Sequence, residues 1–316
     1  MSEKKTFQKL NLDPIQVQMM MQVAELHEVP EGAYSLRVDG QSAAVASSEH
    51  ITIVKKEDKP GIDIYIAPGT KNESLHIPVV LSRSGLKDLV YNDFHVGEGA
   101  DVVIIAGCGI HNCGEQESAH DGIHSFFLEK NARVKYVERH YGEGNGIGGV
   151  VMNPTTIVEL GEGAYLEMDT TQIKGVDSTI RDTRGTLAEN ATFIVKEKLM
   201  THGEQYAETN FSVDLNGKGS STDVVSRSVA RDNSKQKFLA SINGNTACSG
   251  HSACDAIIMD HASVRAIPEL TANDVDASLI HEAAIGKIAG EQLIKLMTLG
   301  LTEEEAEAQI INGFLK

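Results

Sequence analysis

Four segments of this chain repeat one short pattern: VGEGADVVI, LEKNARVKY, LGEGAYLEM and LAENATFIV. Each places an apolar residue, a polar pair with Gly or Asn, an Ala, and then a strand-like run. The alanines are Ala100, Ala132, Ala164 and Ala191, spaced 32, 32 and 27 residues apart, and MDHASVRAI sets Ala262 in a weaker copy. Gly or Asn before the Ala supplies a bend that accepts positive φ, and the small Ala lets the wall turn inward. Repeats of this length built only from strands restrict the chain to a β-solenoid or a propeller. A propeller blade needs four strands in about 40 residues or more. These units are shorter, so a β-helix is expected.

The segments between the repeats agree. HITIVKK, IDIYIAP, DVVIIAG, RVKYVER, YLEMDT and TFIVKEK are short, mostly alternating, and rich in β-branched or aromatic residues. No convincing helix lies between residues 34 and 278. The ends differ. Asp13-Pro14 reads as an N-cap followed by Pro at the first helical position, with Ile15, Met19 and Val23 at helical spacing and Pro30 as the stop. From Ala283 the period again becomes helical through Ile285, Ile288, Ala289, Leu293, Leu296 and Met297, with Gly300 as a C-cap candidate. Thr302 and Glu305 form a capping box for a last helix. The chain thus divides into an N-terminal helical segment (1–33), a β-helix core (34–279) and a C-terminal helical segment (280–316). The last two helices either cap the open edge of the solenoid or carry a partner.

Composition narrows the function. A formal charge of -17 opposes a nucleic-acid or anionic-membrane surface. No apolar run is long enough to span a membrane, and the start, MSEKKTFQKLNLD, lacks the apolar core of a signal peptide, so a cytoplasmic protein is expected. Four cysteines in such a chain are not a disulfide framework.

Three motifs carry candidate chemistry. GEGNGIGG contains GxGxxG at Gly144 to Gly149, but VVMNPTT follows it, with Pro154 and no helix, so it is rejected as a phosphate cradle. CGIHNCGEQESAHDGIH holds Cys108, His111, Cys113, His120 and His124, donor types that suit zinc or iron, at a spacing that matches no compact zinc module. Strand alternation points Cys108 and Cys113 to different faces. Cys254 lies 27 residues before His281-Glu282, close to one coil of the repeat. Adjacent coils stack about 5 Å apart, so Cys254 and one of that pair could converge as iron or zinc ligands. The alternative is a surface pair and a buried cysteine.

The stretch from Cys254 to Phe314 resembles the C-terminal region of the SufB/SufD family, whose pattern of CD, P, HEA, KI, EQL, GL, EEA and GF it follows in order. ARVKYVE and GGVVMN resemble the family's β-helix core more weakly. The resemblance implies a right-handed parallel β-helix that scaffolds iron-sulfur cluster assembly and passes clusters to apo acceptor proteins. It implies no enzyme activity in this chain: ATP hydrolysis belongs to an ABC ATPase of SufC or SmsC type docked on the helical segment. It also implies a homodimer through the β-helix, with a transiently bound 4Fe-4S cluster at the interface. By the same resemblance, Cys254, Glu282 and His281 are the cluster and metal ligands, and Cys108, in AGCG, accepts sulfur from a donor protein. Cys113 and Cys248 match no family role and are expected to be dispensable. Ile280 stands where an acidic residue usually precedes HEA, and the family's large N-terminal domain is nearly absent, as in the minimal SmsB type. Two other functions compete: a cluster-free adaptor of the ATPase, and a carbohydrate-active β-helix. The absence of Trp and 5% aromatics count against the second.

Overall fold

The computed structural model describes residues 7–316. The chain is a β-solenoid of about 8 turns with two parallel walls. From Lys71–Leu81 onward the first wall stacks Asp101–His111, Arg133–Glu143, Tyr165–Lys174, Thr192–Thr201, Ser221–Ala230, Ser249–Ile258 and Ser278–Gly286. The second wall ends with Ser178–Leu187, Tyr206–Leu215, Lys235–Gly244 and Ser263–Ala272. Among the described residues, antiparallel pairing appears only near the start, where Ala33–Val38 pairs Gln41–Ala46 and Ile51–Lys55 pairs Gly61–Ile66.

The corners follow the sequence repeat. Ala100, Ala132, Ala164 and Ala191 are 0% exposed. The residues before them, Gly99, Asn131, Gly163 and Asn190, all take positive φ between 55° and 66°. The weaker copy turns differently: there the positive φ falls on Asp260, two residues before Ala262. Between corners, alternate residues face inward. Phe94 stacks on Phe126 at 4.4 Å, and Tyr136 meets Phe126 edge-on at 5.2 Å. Each such ring contributes roughly 1.5–3 kcal/mol through burial.

Helix α1 (Pro14–Ala24) lies on the outer face of the first wall, capped by an Asp13–Gln16 box. It stops at Glu25, which takes φ 54°, before Pro30 is reached. The approach is close: a Cβ on Gly107 would sit 2.5 Å from the Val23 carbonyl oxygen, and one on Gly109 2.7 Å from Met19 Cε. The glycines of AGCG therefore admit the helix, while Cys108 between them faces the interior.

The C-terminus corrects one expectation. Ala283 does not begin a helix; Ser278–Gly286 is the last strand, paired in parallel with Ser249–Ile258. The local sequence has helical periodicity, but the ladder offers backbone partners that a helix there would forfeit. Helices α2 (Gly290–Thr298) and α3 (Glu303–Phe314) follow, with the Thr302–Glu305 capping box formed. Ile311 and Leu315 pack against Val229 of the first wall. α2 buries no residue. The helices leave the last coil largely exposed. Among the described residues, no helix is long and apolar enough to cross a membrane.

Candidate functional site: a polar column between two buried cysteines

In-register stacking lines up one residue from each coil. On the first wall one inward column reads Ala106, Glu138, Thr170, Glu197, Ser226, Cys254 and Ala283. The neighbouring inward column begins Cys108, His140, Gln172. Cys108 and Cys254 are thus five strand steps apart, about 24 Å along the axis.

The space between them is polar. Arg181, from the second wall, donates from Nη1 to Glu138 Oε2 at 2.7 Å, and its Nε lies 3.8 Å from Glu197 Oε1. Tyr136 donates to Glu138 Oε1 at 2.8 Å, and His124 Nδ1 lies 2.8 Å from the Tyr136 oxygen. Thr209 and Ser226 donate to the two oxygens of Glu197 at 2.7 and 2.6 Å. Ser226 then stacks directly under Cys254.

Electrostatics follow from this packing. Burial opposes the charge of Glu138, yet the Arg181 guanidinium and His140 imidazole hold its carboxyl well below the usual range. Burial lowers His124 to about 4, so it is neutral at neutral pH. Burial, with Asp88, Glu138 and Asp121 adding, pushes the Cys108 thiol well up. Cys254 is pushed up to about 12 by burial, with Glu197 and Asp255 adding.

Two small cavities interrupt the column. One, of about 20 Å³, is lined by Cys108, His120, His124, Glu138 and His140. The other, of about 10 Å³, is lined by Thr170, Thr179, Arg181, Glu197 and Thr209. The Thr170 hydroxyl is buried without a partner at the second. Each has room for about one atom-sized guest.

The structure separates the residues proposed as ligands. Cys254 is 1% exposed and faces inward. Its register partner is Ala283, not His281 or Glu282. His281 shares the inner face, with Nδ1 2.7 Å from Ser252 Oγ. Glu282 faces outward with a side chain 72% exposed, 3.9 Å from His251 Nε2. Among the described residues no group of three or more His, Cys, Asp or Glu is placed to hold a metal. Cys248 is buried in the main core, and Cys113 is exposed. Sequence reasoning missed Glu138, Arg181, Glu197 and Thr209. The signal was parity: Val134, Tyr136, Glu138 and His140 share one face of one strand.

Comparison with known proteins adds a family. The model of the SUF system FeS cluster assembly, SufBD core domain, matches residues 90–314. An iron-sulfur cluster assembly SufBD family protein of Methanothermobacter thermautotrophicus is 32% identical over 225 residues, covering 69% of this chain and 53% of the relative. One from Methanocaldococcus jannaschii is 28% identical over 277 residues, covering 86% of each. One from Archaeoglobus fulgidus is 28% identical over 275 residues, covering 85% of this chain and 71% of the relative. The chain spans about half the length of the first of these.

Proposed function

The chain belongs to the SufBD core family of iron-sulfur cluster assembly proteins, and from that premise we propose that it is a scaffold on which clusters are built and then handed to acceptor proteins. The observation that carries the reading is the buried polar column joining Cys108 to Cys254. A charged column costs desolvation energy that an apolar core would avoid, so its presence calls for a role. In this reading Cys108 receives sulfur, and the column passes it toward Cys254. Arg181 and the unpartnered hydroxyl of Thr170 offer donors to an anionic sulfur species on the way.

The cluster is cargo, of 4Fe-4S type, held at the open end. One chain presents Cys254 and His281 on its inner face, too few donors for a cluster. A second copy docked through the last coil supplies the rest, and Glu282 joins from the outer face or orients a ligand. Loading displaces the Cys254 proton, so iron uptake rises with pH. The apolar side chains Ile294 and Met297 of α2, with Leu299 at its C-cap, are exposed and form a docking face for an ABC ATPase. ATP hydrolysis resides in that partner, because this chain has no P-loop sequence.

Anaerobic reconstitution with iron and sulfide tests the scaffold. The wild type should bind a cluster, Cys254→Ala should lose most of it, and Cys108→Ala should retain it. Full retention in Cys254→Ala would sink the site. The outward facing of Glu282, away from Cys254, favours a second reading, a cluster-free adaptor of the ATPase, and a wild type that binds no iron as monomer or dimer would select it. Removal of residues 290–316 should abolish co-purification with the ATPase while leaving the coils folded.

A further inference from the structure

We infer that Cys113, with His111 and Glu143, forms a surface site that accepts sulfane sulfur from a persulfide donor. Its use rests on the cluster-assembly reading; its chemistry does not. The sequence reading gives Cys113 no role.

Cys113 is exposed and lies just past the end of strand Asp101–His111. Its Sγ is 2.9 Å from His111 Nε2. On the other side of the ring, Nδ1 is 3.1 Å from Glu143 Oε1. A carboxylate only accepts, so Nδ1 carries the ring proton and Nε2 turns its lone pair to the thiol. Glu143 is itself held: its Oε2 accepts from Tyr141 at 3.0 Å and from Gln18 at 3.4 Å. Nucleophile, base and orienting acid stand in line, the arrangement that turns a thiol into a working nucleophile. Both ring nitrogens are occupied from opposite sides, so the three side chains do not converge on one metal ion.

The loop that carries the thiol is built, not incidental. Asn112 is buried, and its amide donates to the carbonyls of Gln116, Gly148 and Gly149. Gly144, Gly146 and Gly148 of GEGNGIGG lie directly against this loop. A Cβ on Gly146 would sit 2.3 Å from the Gly114 carbonyl oxygen, and one on Gly148 2.1 Å from that of Gln116. The glycine-rich motif is thus a backbone-on-backbone layer that seats the Cys113 loop. Ile147, 86% exposed, projects from that layer as an apolar contact for an approaching donor. Cys108, by contrast, is 3% exposed and lies inside.

The step needs only the donor. Cys113 gives its proton to His111 and attacks the outer sulfur of the donor persulfide. A new S–S bond forms at Cys113 as the donor's own S–S bond breaks. The donor leaves as a thiolate, takes the proton from His111, and is reduced to a thiol as Cys113 is oxidised to a persulfide.

The test uses glutathione persulfide and the whole chain without iron, with sulfur uptake on each cysteine peptide followed by mass spectrometry. Cys113 should gain one sulfur atom first. Cys113→Ser should abolish that early uptake, and His111→Gln should slow it at least about tenfold. Glu143→Ala should slow it too, and Glu143→Asp should recover part of the rate, which loss of fold alone would not allow. Equal rates in His111→Gln and wild type, or first uptake at Cys108, overturn the proposal. Reconstitution with iron and sulfide, run alongside, uses no persulfide. A normal cluster without uptake at Cys113 removes the sulfur site alone. Uptake at Cys113 with no cluster in any variant removes the assembly reading and leaves the sulfur site standing.

Discussion

Between Ala106 and Ser226 the inner column of the first wall is covered on every side, whereas at Ser278–Gly286 the same column runs into the open. The middle coils hold Arg181 between two carboxylates, with nearly every donor partnered. The last strand of the first wall is only one residue shorter than its neighbour and keeps the same parallel register, yet Ile280 and Glu282 stand exposed and α2 buries nothing. The difference teaches where exchange with the outside can occur. Charges that are costly to bury are held where stacking is complete, and the candidate ligands sit where one more layer of protein is missing.

Removing the central cation is the strongest way to probe that contrast. Arg181→Ala leaves Glu138 and Glu197 buried without their counter-ion and should cost about 3–5 kcal/mol in urea unfolding. Arg181→Met combined with Glu138→Gln should recover part of the loss. A change below about 1 kcal/mol for Arg181→Ala would mean that the column is hydrated and that the middle coils are no more closed than the end.

Acid provides a weaker probe. The folded chain holds His124 at about 4 against an ordinary 6.5, so in that window the unfolded chain binds the extra proton. Stability should therefore fall as pH drops from 6.5 toward 4, by on the order of 2–3 kcal/mol in total, with no effect above that range. Glu138 adds loss of the same sign only at lower pH, below its unfolded value, because its folded form is depressed. His124→Gln should flatten the slope between pH 6.5 and 4. Burial lowers His281 as well, but it lies partly open, so His281→Gln should change the slope less. Equal flattening by both would erase the distinction between interior and end.

The smallest effect is expected at the rim. Glu282→Ala should leave the unfolding free energy nearly unchanged, within about 0.5 kcal/mol, because its side chain meets mostly solvent. In the reconstitution assay the same variant should lower iron content less than Cys254→Ala does. A large stability loss at Glu282 would show that the last coil is tied down in a way its exposure does not suggest.

Much of this architecture is readable from local chemistry. The Gly-Ala and Asn-Ala corners need a left-handed residue beside a small one, and both requirements are written in adjacent letters. The inward facing of Cys108 follows from parity, whereas Cys113 lies past the end of that strand, where alternation no longer applies. Residues decided by partners far along the chain are harder to read. HEAAIG has helical periodicity, and only its pairing to Ser249–Ile258 makes it a strand. The 27-residue interval from Cys254 to His281 suggested neighbouring coils correctly. The true coil there is 29 residues, and alternation then sends His281 and Glu282 to opposite faces. Arg181 reaches Glu138 across the interior from the other wall, a relation no spacing along one strand reveals.

Successive members of the inner column are 32, 32, 27, 29, 28 and 29 residues apart, a mixture of odd and even intervals. The corners absorb that unevenness and the strands do not. Inheritance can therefore edit this chain in two very different currencies. An extra residue beside Gly203, a corner with open space around it, changes only the outline. The same residue inserted between Thr192 and Glu197 would turn the rest of that strand inside out, placing a lysine where the carboxylate stood and cutting the line from Cys108 to Cys254 at one rung.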